Sequence, residues 1–341
     1  MGKIKNNFIL YFVFLTLVTS AFASGIVKKS DSNEKFLPIF TKQGNTLINN
    51  SINILGSINL DNSPSSLTGA NYRAYNIFSN LSSSHYNLNV SSAYYGINKN
   101  FKDNSNIALL GLYAKSNTNF DSNSKNRDDN YYQLAFLVNS TSSNKISYES
   151  LFFIGIDNSS LTNVLSSSND NANFSNYFMG IQSGISKTYN VLALQVVPKV
   201  AFRLYYLYQD NITEHQANSI QIAKQQNSFS LIPDFSLALE KNFLESKASS
   251  LQVKLQVKLS ANLINPYNTV KLETYTNTPN NATSSGASID GFKDNNAQAD
   301  CMLGLKYIVN KVLALQADIT YQIGDEINKN FDGSFDLNYS F

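Results

Sequence analysis

Phe331-Asp-Gly-Ser-Phe-Asp-Leu-Asn-Tyr-Ser-Phe341 puts Phe331, Gly333, Phe335, Leu337, Tyr339 and Phe341 on one parity and Asp332, Ser334, Asp336, Asn338 and Ser340 on the other. Successive side chains of an extended strand point to opposite faces, so this stretch has one oily face and one polar face. Its last residue is aromatic. Strand ends in water-soluble domains fray into solvent and are usually polar. In a transmembrane barrel the closing strand faces hydrocarbon on one side, and an aromatic at its end sits in the interfacial girdle. An amphipathic edge strand of a soluble sheet shares the local pattern, and the remainder of the chain decides between them.

The same alternation runs through the chain from Tyr72. In Leu251 to Leu263, Leu251, Val253, Leu255, Val257, Leu259, Ala261 and Leu263 alternate with Gln252, Lys254, Gln256, Lys258, Ser260 and Asn262. That run exceeds the roughly 5–6 residues of an ordinary globular strand. Further on, Gln298, Asp300 and Lys306 oppose Ala299, Cys301, Leu303 and Leu305, which predicts that the lone cysteine faces lipid. About twelve such segments are expected, an even number as in bacterial barrels: 72–79, 86–99, 106–115, 131–139, 145–157, 176–187, 192–208, 228–241, 251–263, 297–307, 313–323 and 331–341. Two are less regular, with inward positions that include Leu110, Leu112, Ala135 and Leu137.

The connections sort by length. Short links at 100–105, 140–144, 188–191, 242–250 and 308–312 take turns with longer polar ones at 116–130, 158–175, 209–227, 264–296 and 324–330. Outer-membrane barrels have short periplasmic turns and long extracellular loops, and every long link here lies opposite the termini. A soluble β-sandwich gives no reason for that sorting. The expected fold is all-β, an antiparallel transmembrane β-barrel of about twelve strands.

Composition agrees. The 341 residues are 12% aromatic and 15% charged, with 20 Tyr, 22 Phe and a net charge of +2. So small a charge gives no electrostatic argument for nucleic acid. One cysteine allows no internal disulfide and makes no zinc pattern. Lys3 and Lys5, the apolar run Phe8 to Val18 and the small-residue site Ala21-Phe22-Ala23 read as an export signal over 1–23, with the mature chain starting at Ser24. No cysteine stands at the cleavage site for a lipid anchor. The segment 24–70 is polar and interrupted by Pro and Gly, but Leu47, Ile48, Ser51, Ile52, Leu55 and Ile58 recur at helical spacing. A short helix is expected there, either threading the barrel as a plug or lying outside it, followed by the barrel over 71–341.

The span from Tyr72 resembles the β-domain of autotransporters, the translocator barrels of type V secretion. The resemblance is carried by Ala108-Leu-Leu-Gly-Leu-Tyr-Ala-Lys-Ser-Asn-Thr-Asn-Phe-Asp121, by Tyr132-Gln-Leu-Ala-Phe136, and by Tyr321-Gln-Ile-Gly-Asp325 with Gly333 to Phe341. It implies a cell outer-membrane location, a lumen holding an α-helix, and delivery of an N-terminal passenger, with no shared catalytic residues. The chain departs from that pattern, since fewer than 50 residues separate Ser24 from Tyr72. Some members sever the lumen helix between paired asparagines, and Asn49-Asn50 invites the comparison. The ending Phe335, Leu337, Tyr339 and Phe341 resembles the signal read by the barrel-assembly machinery, which implies that machinery, periplasmic chaperones and outer-membrane lipid as partners.

No catalytic, cofactor or metal site is expected. Barrel hydrolases use histidine, and the two here, His85 and His215, fall on the extracellular side without a nucleophile motif. The residues that should line the lumen are Lys199, Arg203, Lys254, Lys258, Asp300, Lys306 and Asp318. A surface-exposed protein or narrow channel, a type V translocator and a small-solute porin are the functions compatible with them. A host or surface ligand stays unnamed at this level.

Overall fold

The computed structural model describes residues 48, 52 and 66–340, apart from 80–83, 102–104, 121–124, 164–170, 217–218, 247–248, 264–268, 279–280, 291–296, 311–312 and 325–329. The export signal, the rest of the N-terminal segment up to 65 and Phe341 lie outside the described residues.

The described strands are β1 (Ser66–Ser79), β2 (Ser84–Phe101), β3 (Ser105–Phe120), β4 (Lys125–Thr141), β5 (Ile146–Asn163), β6 (Asn171–Lys187), β7 (Tyr189–Val191), β8 (Leu194–Gln209), β9 (Ile212–Gln216), β10 (Ser219–Ala223), β11 (Gln226–Glu245), β12 (Ser249–Ala261), β13 (Thr269–Thr278), β14 (Asn281–Asp290), β15 (Ala297–Val309), β16 (Leu313–Gly324) and β17 (Asn330–Ser340). One 13-stranded antiparallel sheet runs β11-β12-β15-β16-β17-β1-β2-β3-β4-β5-β6-β8-β7, and β8 also pairs with β11. That pairing, from Gln226↔Gln209 to Glu240↔Gln195, closes the sheet on itself. Setting aside the three-residue β7, a ring of twelve strands remains. Closure satisfies every ladder edge internally, as hydrocarbon requires.

Each expected segment coincides with one strand of the ring, with shifted ends. The first strand begins at Ser66, inside the segment assigned to the N-terminal region, because β17 runs to Ser340 and its backbone groups need Leu67 to Asn71 as partners. The link expected at 116–130 is largely strand: Ser116↔Asp129 and Phe120↔Lys125 continue the β3–β4 ladder.

Side-chain alternation builds the wall. On β3 and β4, Ala108, Leu110, Leu112, Ala135 and Leu137 are buried while Leu109, Tyr113, Leu134 and Phe136 are exposed. The exposed row continues through Phe152, Ile154, Met179, Val200, Phe202, Phe235, Leu255, Leu303 and Ile319. Cys301 lies exposed in it. On the extracellular side this band ends in tyrosines: Tyr113 and Tyr132 pack at 5.1 Å between ring centroids, and Tyr177 and Tyr208 at 6.0 Å. Above them, outward positions become Lys115, Asn117, Asp128, Asn130, Asn158 and Ser175. An apolar band bounded by aromatics is the lipid-facing signature.

Two inward glycines let aromatic rings cross between strands. Gly155 is registered with Phe178, and Gly180 with Phe153. A Cβ on Gly180 would stand 2.6 Å from the Phe153 ring, and one on Gly155 would stand 2.5 Å from the Tyr132 carbonyl. Each ring therefore lies over its neighbour's missing side chain.

The short turns carry the described positive-φ residues other than glycine: Lys145 (φ 58°), Leu192 (φ 58°) and Asn310 (φ 51°). Val191 pairs with Leu194, so Leu192 is the first central residue of a two-residue hairpin turn. Such turns usually place glycine there, and leucine is both strained and, here, fully exposed. Leu192→Asn should relieve the strain and raise stability by up to about 1 kcal/mol, read as a higher urea midpoint for the refolded barrel.

The long polar connections at 209–227 and 264–296 contain strands of their own. Strands β9, β10, β13 and β14 form a second antiparallel sheet in the order β14-β13-β10-β9. The two connections satisfy each other's backbone, with Ser219↔Thr276 to Ala223↔Leu272 in register. Ile212 at its base joins the buried apolar cluster, tying this sheet to the barrel. At its surface Lys224 meets Glu273 at 2.8 Å, and that hydrogen bond holds the carboxyl below its usual range and the ammonium above its own.

Candidate functional site

The barrel interior has two unlike walls. One is apolar: Val90 and Tyr94 of β2, Ala108 and Leu110 of β3, Tyr131 and Ala135 of β4, Leu151 and Phe153 of β5, and Phe178 of β6 form one buried cluster. The Tyr131 and Phe178 rings stack at 4.8 Å. Ile48 and Ile52 belong to the same cluster, 1% and 0% exposed, on helical backbone. Residues four apart on a helix share a face, so these two present one apolar patch to this wall.

The other wall is charged and ion-paired. The Arg203 guanidinium donates Nε to Asp234 Oδ2 at 2.9 Å and Nη2 to Asp234 Oδ1 at 2.8 Å, a forked contact. Lys258 lies 3.7 Å from Asp300 and 4.0 Å from Asp234. A rung therefore crosses β8, β11, β12 and β15 with alternating sign. Nearer the short turns, Lys254 lies 3.8 Å from Glu240, and Lys199 pairs with Glu149. Asp318 accepts from Gln316 Nε2 at 2.7 Å and leans into the space left by Gly304. Lys306 is half-buried opposite Gln252 and Gln316. Five cations (Lys199, Arg203, Lys254, Lys258, Lys306) thus face five carboxylates (Glu149, Asp234, Glu240, Asp300, Asp318). Such a wall holds water and ions with little net field.

A third group lies at the extracellular end, above the apolar wall. Arg127 donates Nε to Asp129 Oδ1 at 2.5 Å, and Nη2 to Ser159 Oγ at 2.9 Å and Asp157 Oδ2 at 3.3 Å. Ser116 Oγ donates to Asp129 at 2.5 Å and Asn176 Nδ2 to Asp157 at 2.9 Å. The Phe174 ring centroid lies 5.1 Å from the guanidinium carbon. Arg127 and Asp129 side chains are 0% exposed. Sequence reasoning missed this group because it placed 116–130 in a loop. Glu149, Asp234 and Glu240 were also unassigned, although Asp234 and Glu240 share the parity of the inward-facing Ser228 and Ser230.

Phe335, Leu337 and Tyr339 lie in β17, whose backbone pairs with β16 and β1, and their side chains are outside the described ones. His85 is registered with Phe78 and His215 with Ile220, both at the end bearing the long connections.

Residues 67–320 match the family model described as the autotransporter beta-domain. Among solved structures, the translocator domain of the autotransporter NalP from Neisseria meningitidis superposes with a TM-score of 0.61 at 15% identity, covering 89% of this chain and 96% of that one. The β-domain of the Bordetella autotransporter BrkA gives 0.56 at 9% identity, covering 82% and 100%. The transport unit of AIDA-I from Escherichia coli gives 0.51 at 12% identity, covering 87% and 98%. No curated protein matches by sequence.

Proposed function

Since the chain belongs to the autotransporter β-domain family and resides in the cell outer membrane, we propose that it is a surface-exposed barrel with a narrow channel whose lumen its own N-terminal helix occupies. The observation that supports this reading is the membership of Ile48 and Ile52, with essentially no exposure, in the buried cluster formed mostly by inward residues of β2 to β6. A helix outside the ring would leave them in lipid or water. The charged wall opposite provides a restricted path for water and small ions past the helix. Lys199, Arg203, Lys254, Lys258, Asp300, Lys306 and Asp318 are proposed to line it. Balanced charge favours weak selectivity between anions and cations. Assembly through the terminal Phe335, Leu337, Tyr339 and Phe341 by the barrel-assembly machinery, with periplasmic chaperones, belongs to the same proposal.

A barrel of about twelve strands is wide enough for one helix but narrow by porin standards. The purified protein is expected to show small or intermittent conductance in planar bilayers. Deleting Asn45 to Asn59, or introducing Ile48→Asp with Ile52→Asp, should raise it. Open-porin conductance from the intact protein, unchanged by the deletion, would exclude the plug. The family supports a second reading, a translocator for a short or separate passenger. Mass spectrometry of the membrane-bound form separates the two, because a chain starting at Asn50 would favour translocation and one starting at Ser24 the standing plug.

A further inference from the structure

At the extracellular rim, the protruding ends of β4 to β6 and the connection after β8 enclose an open cleft of about 590 Å³, lined on its outward side by Asn130, Asn158, Ser160, Asn173, Ser175 and Asn211 and reaching the buried Ser159 and Phe174 at its inner edge. Its lining contains one formal charge, Asp210, and no lysine or arginine. The cleft has a definite place relative to the membrane. Asn130 is registered with Asn158, and Asn158 with Ser175. Two residues further down the same outward rows come Tyr132, Ile156 and Tyr177, and two further still Leu134, Ile154 and Met179. Tyr132 and Tyr177 are 47% and 45% exposed, and Ile154 and Met179 57% and 54%. On the outer face, the amides and hydroxyls of the cleft's outward side thus stand directly above tyrosine rings, which stand directly above the apolar band.

We propose that this cleft binds the neutral saccharide headgroup of an outer-leaflet glycolipid, whose acyl chains run down the adjoining apolar rows. Carboxamides and hydroxyls each donate and accept, which matches neighbouring sugar hydroxyls. An ionic headgroup fits worse: Asp210 repels phosphate, and the one cation behind the lining, Arg127, is fully enclosed and already paired with Asp129 and Asp157. The lipid anchor matters because the cleft is open, and solvent-competed hydrogen bonds add only about 0.5–1.5 kcal/mol each. Confinement in the membrane supplies the effective concentration that a free sugar lacks.

The test uses the full purified chain in a zwitterionic, sugar-free detergent, titrated by native mass spectrometry with three probes. They are a diacylglycerol carrying a neutral disaccharide, phosphatidylglycerol with the same acyl chains, and free maltose. The glycolipid should bind at least about tenfold more tightly than phosphatidylglycerol. Asn158→Leu combined with Asn173→Leu should remove that preference while leaving phosphatidylglycerol binding and the heat-dependent gel shift unchanged. If the double variant fails to fold, Asn158→Ala is held to the same criterion. Equal binding of the two lipids, a preference that survives the substitution, or maltose binding as tight as the glycolipid would each overturn the proposal.

Discussion

Arg127→Leu should cost the barrel about 3–5 kcal/mol, because it strands two carboxylates in the protein interior with no cation. Asp129 receives Arg127 Nε and Asp157 receives Nη2, and the arginine side chain is fully enclosed. Leucine replaces neither the charge nor the fork of donors. The folded fraction, read as the species that migrates faster on a gel without boiling, should fall sharply. Adding Asp129→Asn and Asp157→Asn should restore much of it, since neutral amides remove the uncompensated charge. Arg127→Lys should lie between, keeping the charge but losing the fork that reaches Asp129, Asp157 and Ser159 together. If Arg127→Leu folds as well as the parent, the cluster is solvated and contributes little.

The second large effect is a contrast between neighbours on β12. Leu255 is 49% exposed at the middle of the strand, registered with the outward Leu239 and Leu303. Lys254, one residue earlier, turns inward to Glu240. Leu255→Arg places a charge in the hydrocarbon and should cost roughly 2–4 kcal/mol near mid-membrane, whereas Lys254→Arg should be almost neutral. Folded yields in lipid vesicles report the difference. Equal yields would mean that the faces are assigned the wrong way round or that no membrane surrounds the strand.

The twelve strands were legible because both solvents of the barrel act on a period of two, so lipid outside and water or packing inside write the same alternation into Leu251 to Leu263 and Phe331 to Phe341. That signal fades above the membrane. There Lys115, Asn117, Asp128 and Asn130 face water outside, while Ser116, Thr118, Arg127 and Asp129 pair within. With both parities polar, the sequence reads as loop although the ladder continues. The extracellular sheet was hidden for a related reason, because its pairing joins connections distant in sequence and Ser219 to Ala223 is too short to announce a strand. The charged wall was visible as inward lysines and aspartates on β12, β15 and β16. The partners that tie it together, Asp234 from β11 and Glu149 from β5, depend on which strands become neighbours. The irregular inward positions Leu110, Leu112, Ala135 and Leu137 looked like lapses in the pattern. In the folded chain they belong to the same buried apolar cluster as Ile48 and Ile52.

The proposed plugging of the lumen is tested most directly by spin-label accessibility at position 52. With Cys301→Ser as background, Ile52→Cys carries a nitroxide, and collision rates are measured against molecular oxygen, which concentrates in lipid, and a water-soluble nickel chelate. A residue buried between helix and barrel wall should be immobilised and reached by neither reagent. High oxygen accessibility would put the helix on the lipid face, high chelate accessibility would make it a tether in water, and either result would contradict the plugged barrel.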